Sequence, residues 1–178
     1  MKIHDSRFLR GPNIHRMEPC FVAVVDLEGP RTVAVEELHG AAALLRTLMP
    51  SSTAPVFIDA TEGARLLARL TVAAQAWVGS LPTYCDAVRL APTAPERYCL
   101  LCDYQHEAVV EEALQLSVEF VTAILNQQPF DFEARQAKLR ELADARAIAP
   151  AAQVLLRAAR QRDIPVLRLD VDAGAISP

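Results

Sequence analysis

The chain has 178 residues, of which 52% are hydrophobic and 22% are charged. This ordinary globular composition rules out wholesale disorder and collagen-like structure. The formal net charge is −4, from 18 basic and 22 acidic side chains, which argues against a surface that coats nucleic acid. The length predicts one domain, which we place over residues 1–169. A tail, or the start of a linker to a missing downstream domain, is predicted over residues 170–178.

The first half of the chain predicts two strands and then two helices. Residues 3–9 alternate weakly between apolar and polar side chains, and residues 20–27 are rich in β-branched and aromatic side chains, so both are predicted to be strands. Apolar residues recur at helical spacing over residues 35–49 and again over residues 62–78. Gly79 follows the second of these helices and is a typical residue for ending one.

The second half of the chain predicts a hairpin followed by three helices. Two strand-like runs, residues 83–90 and 97–104, are separated by a loop that contains two prolines. The later elements are helices over residues 107–126, 132–147 (with Asp131 as N-cap) and 150–162, and a short strand over residues 164–169. Because strands and helices do not alternate strictly, we predict an α+β domain. Its mixed or antiparallel sheet of four to five strands would pack against about five helices.

The four cysteines are few for a chain that is long enough to build its own core, which favours reduced thiols and a cytoplasmic location. They are Cys20, Cys85, Cys99 and Cys102. Cys99 and Cys102 have the C-x-x-C spacing of redox and zinc pairs, but positions i and i+3 of a strand point to opposite faces. We therefore predict buried, inert thiols. A thiol oxidoreductase that uses Cys99 and Cys102 is the less favoured alternative.

The sequence predicts no membrane span, no metal site and no cofactor bound by this chain. The most apolar run, residues 66–78, is interrupted by Arg69 and Gln75 and is too short and too polar to cross a bilayer. The four histidines are scattered, and none pairs with another at helical ligand spacing. With only six glycines and no glycine-rich motif, the chain has no loop suited to cradling phosphate.

Basic side chains are concentrated in the last two predicted helices, where acidic ones partly offset them. The basic residues there are Arg135, Lys138, Arg140, Arg146, Arg157, Arg160 and Arg162. One interpretation is a solvated helix face with i, i+4 ion pairs, for example at Glu141. The other is a surface that binds a polyanionic or zwitterionic polymer.

Four short stretches of the chain resemble cyanophycin synthetase in their order and approximate spacing. In the first, residues 9–13 read L-R-G-P-N directly after a predicted strand. The second stretch, residues 67–79 with Gln75 and Gly79, is similar to the family's L-Q-x-L-A-G. The third, residues 102–107, is similar to F-E-Y-Q-E-E, and the fourth, residues 160–165, is similar to A-R-G-I-P. The resemblance extends from residue 1 to about residue 169.

This resemblance implies a non-catalytic N-terminal domain of an ATP-dependent amide ligase. Cyanophycin synthetases make a polymer with a poly-aspartate backbone that carries arginine on each side-chain carboxyl. Their ATP-grasp and Mur-ligase-like catalytic domains lie downstream of the matched region, so ATP and magnesium would bind there, and no catalytic residue is expected in this chain. The expected partners are the aspartate/arginine polymer or dipeptide, the downstream ligase domains in the same or a partner chain, and further copies of this chain in a homo-oligomer.

Within the resemblance, the polymer-binding candidates are basic residues near the end of the chain with two neighbours: Arg157, Arg160 and Arg162, with Arg135 and Glu141. The motif loop comprises Arg10, Gly11, Pro12 and Asn13. It is expected to form a tight turn after the first strand, with direct contact to a ligand as the alternative. A free-standing structural, oligomerisation or adaptor module is the alternative function.

The sequence departs from the family pattern at three places. After L-R-G-P-N, where the family commonly carries an aromatic residue, this chain has Ile14 and His15. Where the family carries a Glu-His pair and a further Glu in the second helix, this chain has Ala68, Arg69 and Ala73. The Gly-Pro-Ser-Thr of the family before its last helix corresponds here to residues 149–152, in which Ala151 and Ala152 replace the two hydroxyl residues.

Overall fold

The computed structural model describes residues 1–27, 60–80, 82, 84–91, 94–126, 128–145, 152, 154–155, 158–159, 161–162 and 164. Within these residues, four strands and three helices have defined bounds. The strands are β1 (Lys2–Leu9), β2 (Cys20–Asp26), β3 (Cys85–Ala91) and β4 (Ala94–Cys102), and the helices are α1 (Ala60–Trp77), α2 (Glu107–Leu125) and α3 (Phe132–Ala145). The predicted α+β class is confirmed.

The four strands form one antiparallel sheet in the order β1-β2-β4-β3. This arrangement confirms the antiparallel alternative, with four strands among the described residues; the predicted fifth strand over residues 164–169 lies, apart from Ile164, outside them. β3 and β4 form the predicted hairpin, whereas β2 pairs with the distant β4, so that Val24 lies opposite Cys99. The central strands are therefore β2 and β4, and the edge strands are β1 and β3.

One face of the sheet packs against α1 and α2. Because neighbouring side chains of a strand point to opposite faces, alternate residues of the central strands share this face. Those of β2 and β4 are Phe21, Ala23, Val25, Tyr98, Leu100 and Cys102, all buried. Leucines such as Leu66, Leu70 and Leu114 meet them from the helices. Burial of one leucine side chain stabilises the folded state by roughly 1.5–3 kcal/mol. Because this layer contains many such side chains, it is the main core of the described residues.

The opposite face of the central strands is apolar as well. Cys20, Val22, Cys99 and Leu101 form a second buried cluster on that face. Burial on both faces explains why β2 and the second half of β4, residues 98–102, have nearly continuous apolar sequences, whereas the edge strand β1 mixes polar and apolar residues.

Helix α1 ends in a Schellman motif, as the position of Gly79 predicts. Gly79 adopts a positive φ of 82°, which a residue without a Cβ reaches at little cost. Its N–H donates to the Ala76 carbonyl at 3.1 Å, and the Ser80 N–H donates to the Gln75 carbonyl at 3.1 Å. These bonds satisfy the last carbonyls of α1 and turn the chain towards β3.

The N-terminus of α3 confirms another predicted signal. The Ala134 N–H donates to Asp131 Oδ1 at 3.0 Å, which is the bond expected of an N-cap aspartate. None of the described helices is long and apolar enough to cross a membrane.

The helices with defined bounds number three, fewer than the five predicted. The predicted helix over residues 35–49, the run 165–169 and the predicted tail 170–178 all lie outside the described residues. Between residues 150 and 162, the described positions Ala152, Val154, Leu155, Ala158 and Ala159 are helical but have no defined bounds. The domain boundary at residue 169 stays a prediction.

Candidate functional site

The loop that follows β1 is held in place by the side chain of Asn13. Its Nδ2 donates to the carbonyls of Gly11 and Glu18, at 2.9 and 3.1 Å. Its Oδ1 accepts from the N–H groups of His15 and Arg16, each at 2.9 Å. An asparagine that bonds to backbone groups on both sides can define a loop that has no regular structure. The L-R-G-P-N stretch thus leads from β1 into an irregular loop, and Asn13 is the residue that organises this loop.

Arg10 joins the end of β1 to the start of α2. Its Nε and Nη2 donate to the two carboxylate oxygens of Glu107, at 2.7 and 3.0 Å, in a bidentate pair that spans 97 positions of the sequence. Glu107 is the first residue of α2, where a carboxylate also interacts favourably with the helix dipole. The Arg10 side chain is 60% exposed, so this pair lies near the protein surface.

Arg16 forms the centre of a more buried group of side chains beside this pair. Its guanidinium makes an ion pair with Asp103, directly after β4, and a second one with Glu18 at 3.0 Å. The guanidinium carbon also lies 4.0 Å from the centroid of the Tyr84 ring, in cation–π contact. The side chains of Arg16 and Asp103 are 18% and 17% exposed, so both charges are largely withdrawn from water.

Gln75 connects α1 to the same end of β4. Its Nε2 donates to the backbone carbonyl of Asp103 at 3.1 Å. Its Oε1 is buried and has no hydrogen-bond partner among the described residues. Together with the Schellman motif at Gly79, this bond holds the C-terminus of α1 against the segment between β4 and α2.

Three of the four stretches that resemble cyanophycin synthetase therefore meet at one end of the sheet. We call the residues that join them the motif cluster: Arg10, Asn13, Arg16, Gln75, Asp103 and Glu107. Sequence reasoning identified all of these stretches but did not single out Arg16 or its aromatic partner Tyr84. The sequence signal for Arg16 was weak, because an arginine three residues after an asparagine is not a recognisable motif. In the fourth stretch, residues 160–165, only positions 161, 162 and 164 are described.

A second group of charges lies between α2 and α3 and contains one of the predicted polymer-binding residues. Arg135 Nη1 lies 3.2 Å from Glu112 Oε1, and its Nη2 lies 2.8 Å from Glu119 Oε2. Lys138 Nζ reaches Glu112 Oε2 at 2.8 Å. We call these four residues the helix cluster. Glu112 is 8% exposed, and its Oε1 makes no well-aligned hydrogen bond within the part of the chain that the structure describes, so two nearby cations stabilise its charge.

The other predicted polymer-binding residues are not joined to this cluster by a described contact. Glu141 is exposed on α3, six positions after Arg135, which is a rotation of roughly 120° around the helix. Arg162 is exposed in a turn. Arg157 and Arg160 lie outside the described residues.

The alanines that depart from the family pattern are described at three of four positions. Ala68 and Ala73 are buried in α1, at 0% and 7% exposure, where a small apolar side chain suits close packing. Ala152 is half-buried, and Ala151 lies outside the described residues. Arg69, between the two buried alanines, is exposed.

Among the four cysteines, three are buried and Cys85 is half-buried. Cys102 lies in the core between the sheet and the helices, whereas Cys99 lies on the opposite face of the sheet, as the strand prediction requires. Burial raises the pKa of Cys99, against an opposing effect of Arg7, and raises the pKa of Cys102 well above its usual range. No group of three or more His, Cys, Asp or Glu side chains among the described residues is arranged to hold a metal ion.

No protein-family model matches this chain, and no curated protein matches it significantly. The resemblance to cyanophycin synthetase therefore stays a prediction that rests on the residues quoted for it.

Proposed function

We propose that this chain is the non-catalytic N-terminal domain of a cyanophycin-synthetase-like amide ligase, and that it anchors the aspartate/arginine polymer for downstream catalytic domains. The observation that carries the proposal is the motif cluster. Stretches quoted for the resemblance, up to 97 positions apart, contact one another through Arg10, Glu107, Gln75 and Asp103. If these short stretches resembled the family only by chance, there would be no reason to expect them to contact one another in the folded chain.

The anchoring role follows from multivalency. A weak site that holds one part of a polymer raises the effective concentration of its growing end at the catalytic domains, without any new contact at the end itself. The polymer carries carboxylate and guanidinium groups in alternation, so a surface with both charge signs suits it. In this proposal the anchor comprises Arg157, Arg160 and Arg162, with Arg135 and Glu141 as neighbours, and ATP and magnesium bind only to the downstream domains.

Cosedimentation with insoluble aspartate/arginine polymer tests the anchoring role. We expect the unmutated chain to cosediment, and the R157E/R160E variant to bind about tenfold more weakly, equivalent to about 1.4 kcal/mol. Binding should also weaken as salt rises, because salt screens the attraction between opposite charges. The matched control is R65E/R69E, an equal charge change on exposed residues of α1. Equal binding by both variants would remove the C-terminal basic residues as the anchor, and failure of the unmutated chain to cosediment would reject anchoring altogether.

A free-standing oligomerisation or adaptor module is the second candidate. It is favoured by Val88 and Leu90, which are 49% and 48% exposed on the edge strand β3. Exposed apolar residues on an edge strand are suited to pairing with another chain.

The mass of the native polypeptide in a cell extract separates the two candidates. An immunoblot band far heavier than the 19.5 kDa of this chain would favour a domain of a larger ligase. A band at 19.5 kDa would favour the free-standing module, and light scattering would then show whether it forms an oligomer.

A further inference from the structure

The fold brings together a pair of cysteines that their spacing in the sequence does not suggest. Cys85, the first residue of β3, lies directly opposite Cys102, the last residue of β4. Cys102 is part of the core between the sheet and the helices, and Cys85 packs against that core, so both side chains are on the same face. The C-x-x-C partner of Cys102 in the sequence, Cys99, is on the other face.

Residues that face each other across an antiparallel sheet form either hydrogen-bonded or non-hydrogen-bonded pairs, and the Cα atoms are closer in the second type. The hydrogen bond next to Cys85 and Cys102 shows that they form a pair of this closer type. The Asp103 N–H donates to the Tyr84 carbonyl at 2.9 Å, which marks Tyr84 and Asp103 as a hydrogen-bonded pair. Because such pairs alternate with non-hydrogen-bonded ones, Cys85 and Cys102 form a non-hydrogen-bonded pair. In this geometry the Cα atoms are typically about 4.5 Å apart. A disulfide needs a Cα separation of about 4.4–6.8 Å, so no strand has to move to form one.

We propose that Cys85 and Cys102 form a reversible disulfide bond by exchange with a low-molecular-weight disulfide of the glutathione type. Both thiols are free in this structure. The proposal is independent of the polymer-anchoring role, since it rests on the β3–β4 register alone.

The reaction begins at Cys85, which is half-buried, whereas Cys102 is buried. The Cys85 thiol loses its proton to solvent, and its sulfur attacks one sulfur of the small disulfide. The S–S bond breaks, one small thiolate leaves with the bonding electron pair, and a mixed disulfide remains on Cys85. Arg69 favours the thiolate of Cys85, although burial raises its pKa overall.

The second exchange closes the bond. The Cys102 thiol now donates to the Ala68 carbonyl with an S···O distance of 3.7 Å. It gives up this bond and its proton, attacks the Cys85 sulfur, and releases the second small thiolate. Two protein thiols are oxidised and one small disulfide is reduced to two small thiols, so atoms and electrons balance.

The new bond would lie next to the motif cluster. Tyr84 and Asp103, which both contact the Arg16 guanidinium, are the immediate neighbours of Cys85 and Cys102 in the chain. Oxidation would tie these neighbours together covalently. We expect the Asp103 amide, which bonds to Tyr84, to exchange its hydrogen more slowly in the oxidised chain.

Peptide mapping of the full chain tests the proposal. The reduced, folded protein is incubated with glutathione disulfide, then denatured and alkylated with N-ethylmaleimide. We expect the intact mass before alkylation to fall by two hydrogen atoms, two of the four thiols to escape alkylation, and one linked peptide pair to contain Cys85 and Cys102. Dithiothreitol should restore all four thiols. Alkylation of all four after incubation, or a persistent glutathione adduct on Cys85, would overturn the proposal.

Two variants sharpen this test. The Cys102→Ser chain should stop at the mixed disulfide on Cys85, because the second attacking sulfur is absent. The Cys99→Ser chain is the matched control, since it removes a buried thiol of the same hairpin from the other face, and it should form the linked peptide as the unmutated chain does. Loss of the linked peptide in Cys99→Ser would overturn the proposed pairing. The peptide map of the unmutated chain decides the proposal even if a variant fails to fold.

Discussion

The Arg10–Glu107 pair of the motif cluster and the Arg135–Glu112 pair of the helix cluster both join an arginine to a carboxylate, but they differ in what they do for the fold. In the helix cluster, Arg135 and Lys138 neutralise Glu112, whose side chain is only 8% exposed. In the motif cluster, the Arg10 and Glu107 side chains are 60% and 25% exposed, and water solvates both charges. A buried carboxylate depends on its cations, whereas a surface pair gains little from its partner.

This difference shows which arginines are available to a ligand. Withdrawing Arg135 from Glu112 to bind a polymer would leave a buried charge poorly compensated. Arg10 could exchange Glu107 for another carboxylate at small cost. Solvent exposure therefore favours the motif loop over Arg135 as a place where a polymer could bind, although both were candidates from the sequence.

Removal of Arg135 should have the largest effect on stability. We expect Arg135→Met to lower the free energy of unfolding by about 3 kcal/mol, because Glu112 keeps only Lys138 as a cation close to its buried carboxylate. Urea denaturation measures the loss. Arg140→Met, at an exposed position on the same helix, should change stability by no more than about 0.5 kcal/mol. Equal effects of the two variants would show that Glu112 does not depend on Arg135.

Alkaline pH should destabilise the protein through Cys20, which is fully buried and interacts with charges of the motif cluster. Burial, assisted by Asp103 and opposed by Arg16, raises the pKa of Cys20 from 9.0 to about 11. The folded state therefore holds this proton more tightly than the unfolded chain. The resulting stability is fully present below pH 9.0 and is lost as pH rises to about 11.

The size of this loss follows from the two pKa values and amounts to about 2–3 kcal/mol. It is measured as the difference between the unmutated chain and Cys20→Ala in denaturation experiments across this pH range. The difference should shrink as pH rises, because Cys20→Ala has no thiol to ionise. A constant difference would show that the pKa of Cys20 is not raised. Arg16→Met should move the loss to higher pH, since it removes the cation that favours the thiolate.

The asparagine of the motif loop should have an intermediate effect. Asn13→Ala removes two bonds donated to carbonyls and two accepted from N–H groups, and we expect a loss of about 1–2 kcal/mol. Asn13→Asp keeps the acceptor oxygen for His15 and Arg16 and should lose less. Thermal denaturation compares them with the control Ile14→Ser, a change at a side chain that is 93% exposed. A loss in the control as large as in Asn13→Ala would contradict a specific role for Asn13.

The surface pair should have the smallest effect. A double-mutant cycle with Arg10→Ala and Glu107→Ala should give a coupling energy of about 0.5–1 kcal/mol, at the upper end for exposed pairs because the contact is bidentate. The coupling should decrease as salt is added. A value comparable to the loss in Arg135→Met would remove the distinction between the two clusters.

Local patterns in the sequence predicted the elements well where the chain contains strong signals. The strand over residues 20–27 is observed as β2 (Cys20–Asp26), and the helix over residues 107–126 as α2 (Glu107–Leu125). Asp131 and Gly79 marked a helix start and a helix end correctly. These signals are reliable because caps and apolar periodicity act over a few neighbouring residues.

Local patterns could not predict which residues pair with each other when they are far apart in the sequence. Arg10 was expected to form a turn, and its partner Glu107 lies 97 positions away. The candidates Arg135 and Glu141 are close in sequence, but the described contacts of Arg135 are with α2. The C-x-x-C spacing drew attention to Cys99 and Cys102, whereas the strand register places Cys85 opposite Cys102.

The sequence by itself determined the class of the fold, the limits of most described strands and helices, and the opposite orientations of Cys99 and Cys102, because each depends on the geometry of one short segment. Only the tertiary structure decided the order of the strands, the burial of Glu112, and the meeting of Arg10, Gln75 and Asp103 in one cluster. Those features depend on which distant surfaces pack together. That choice is set by the burial of the whole apolar core and not by any one segment.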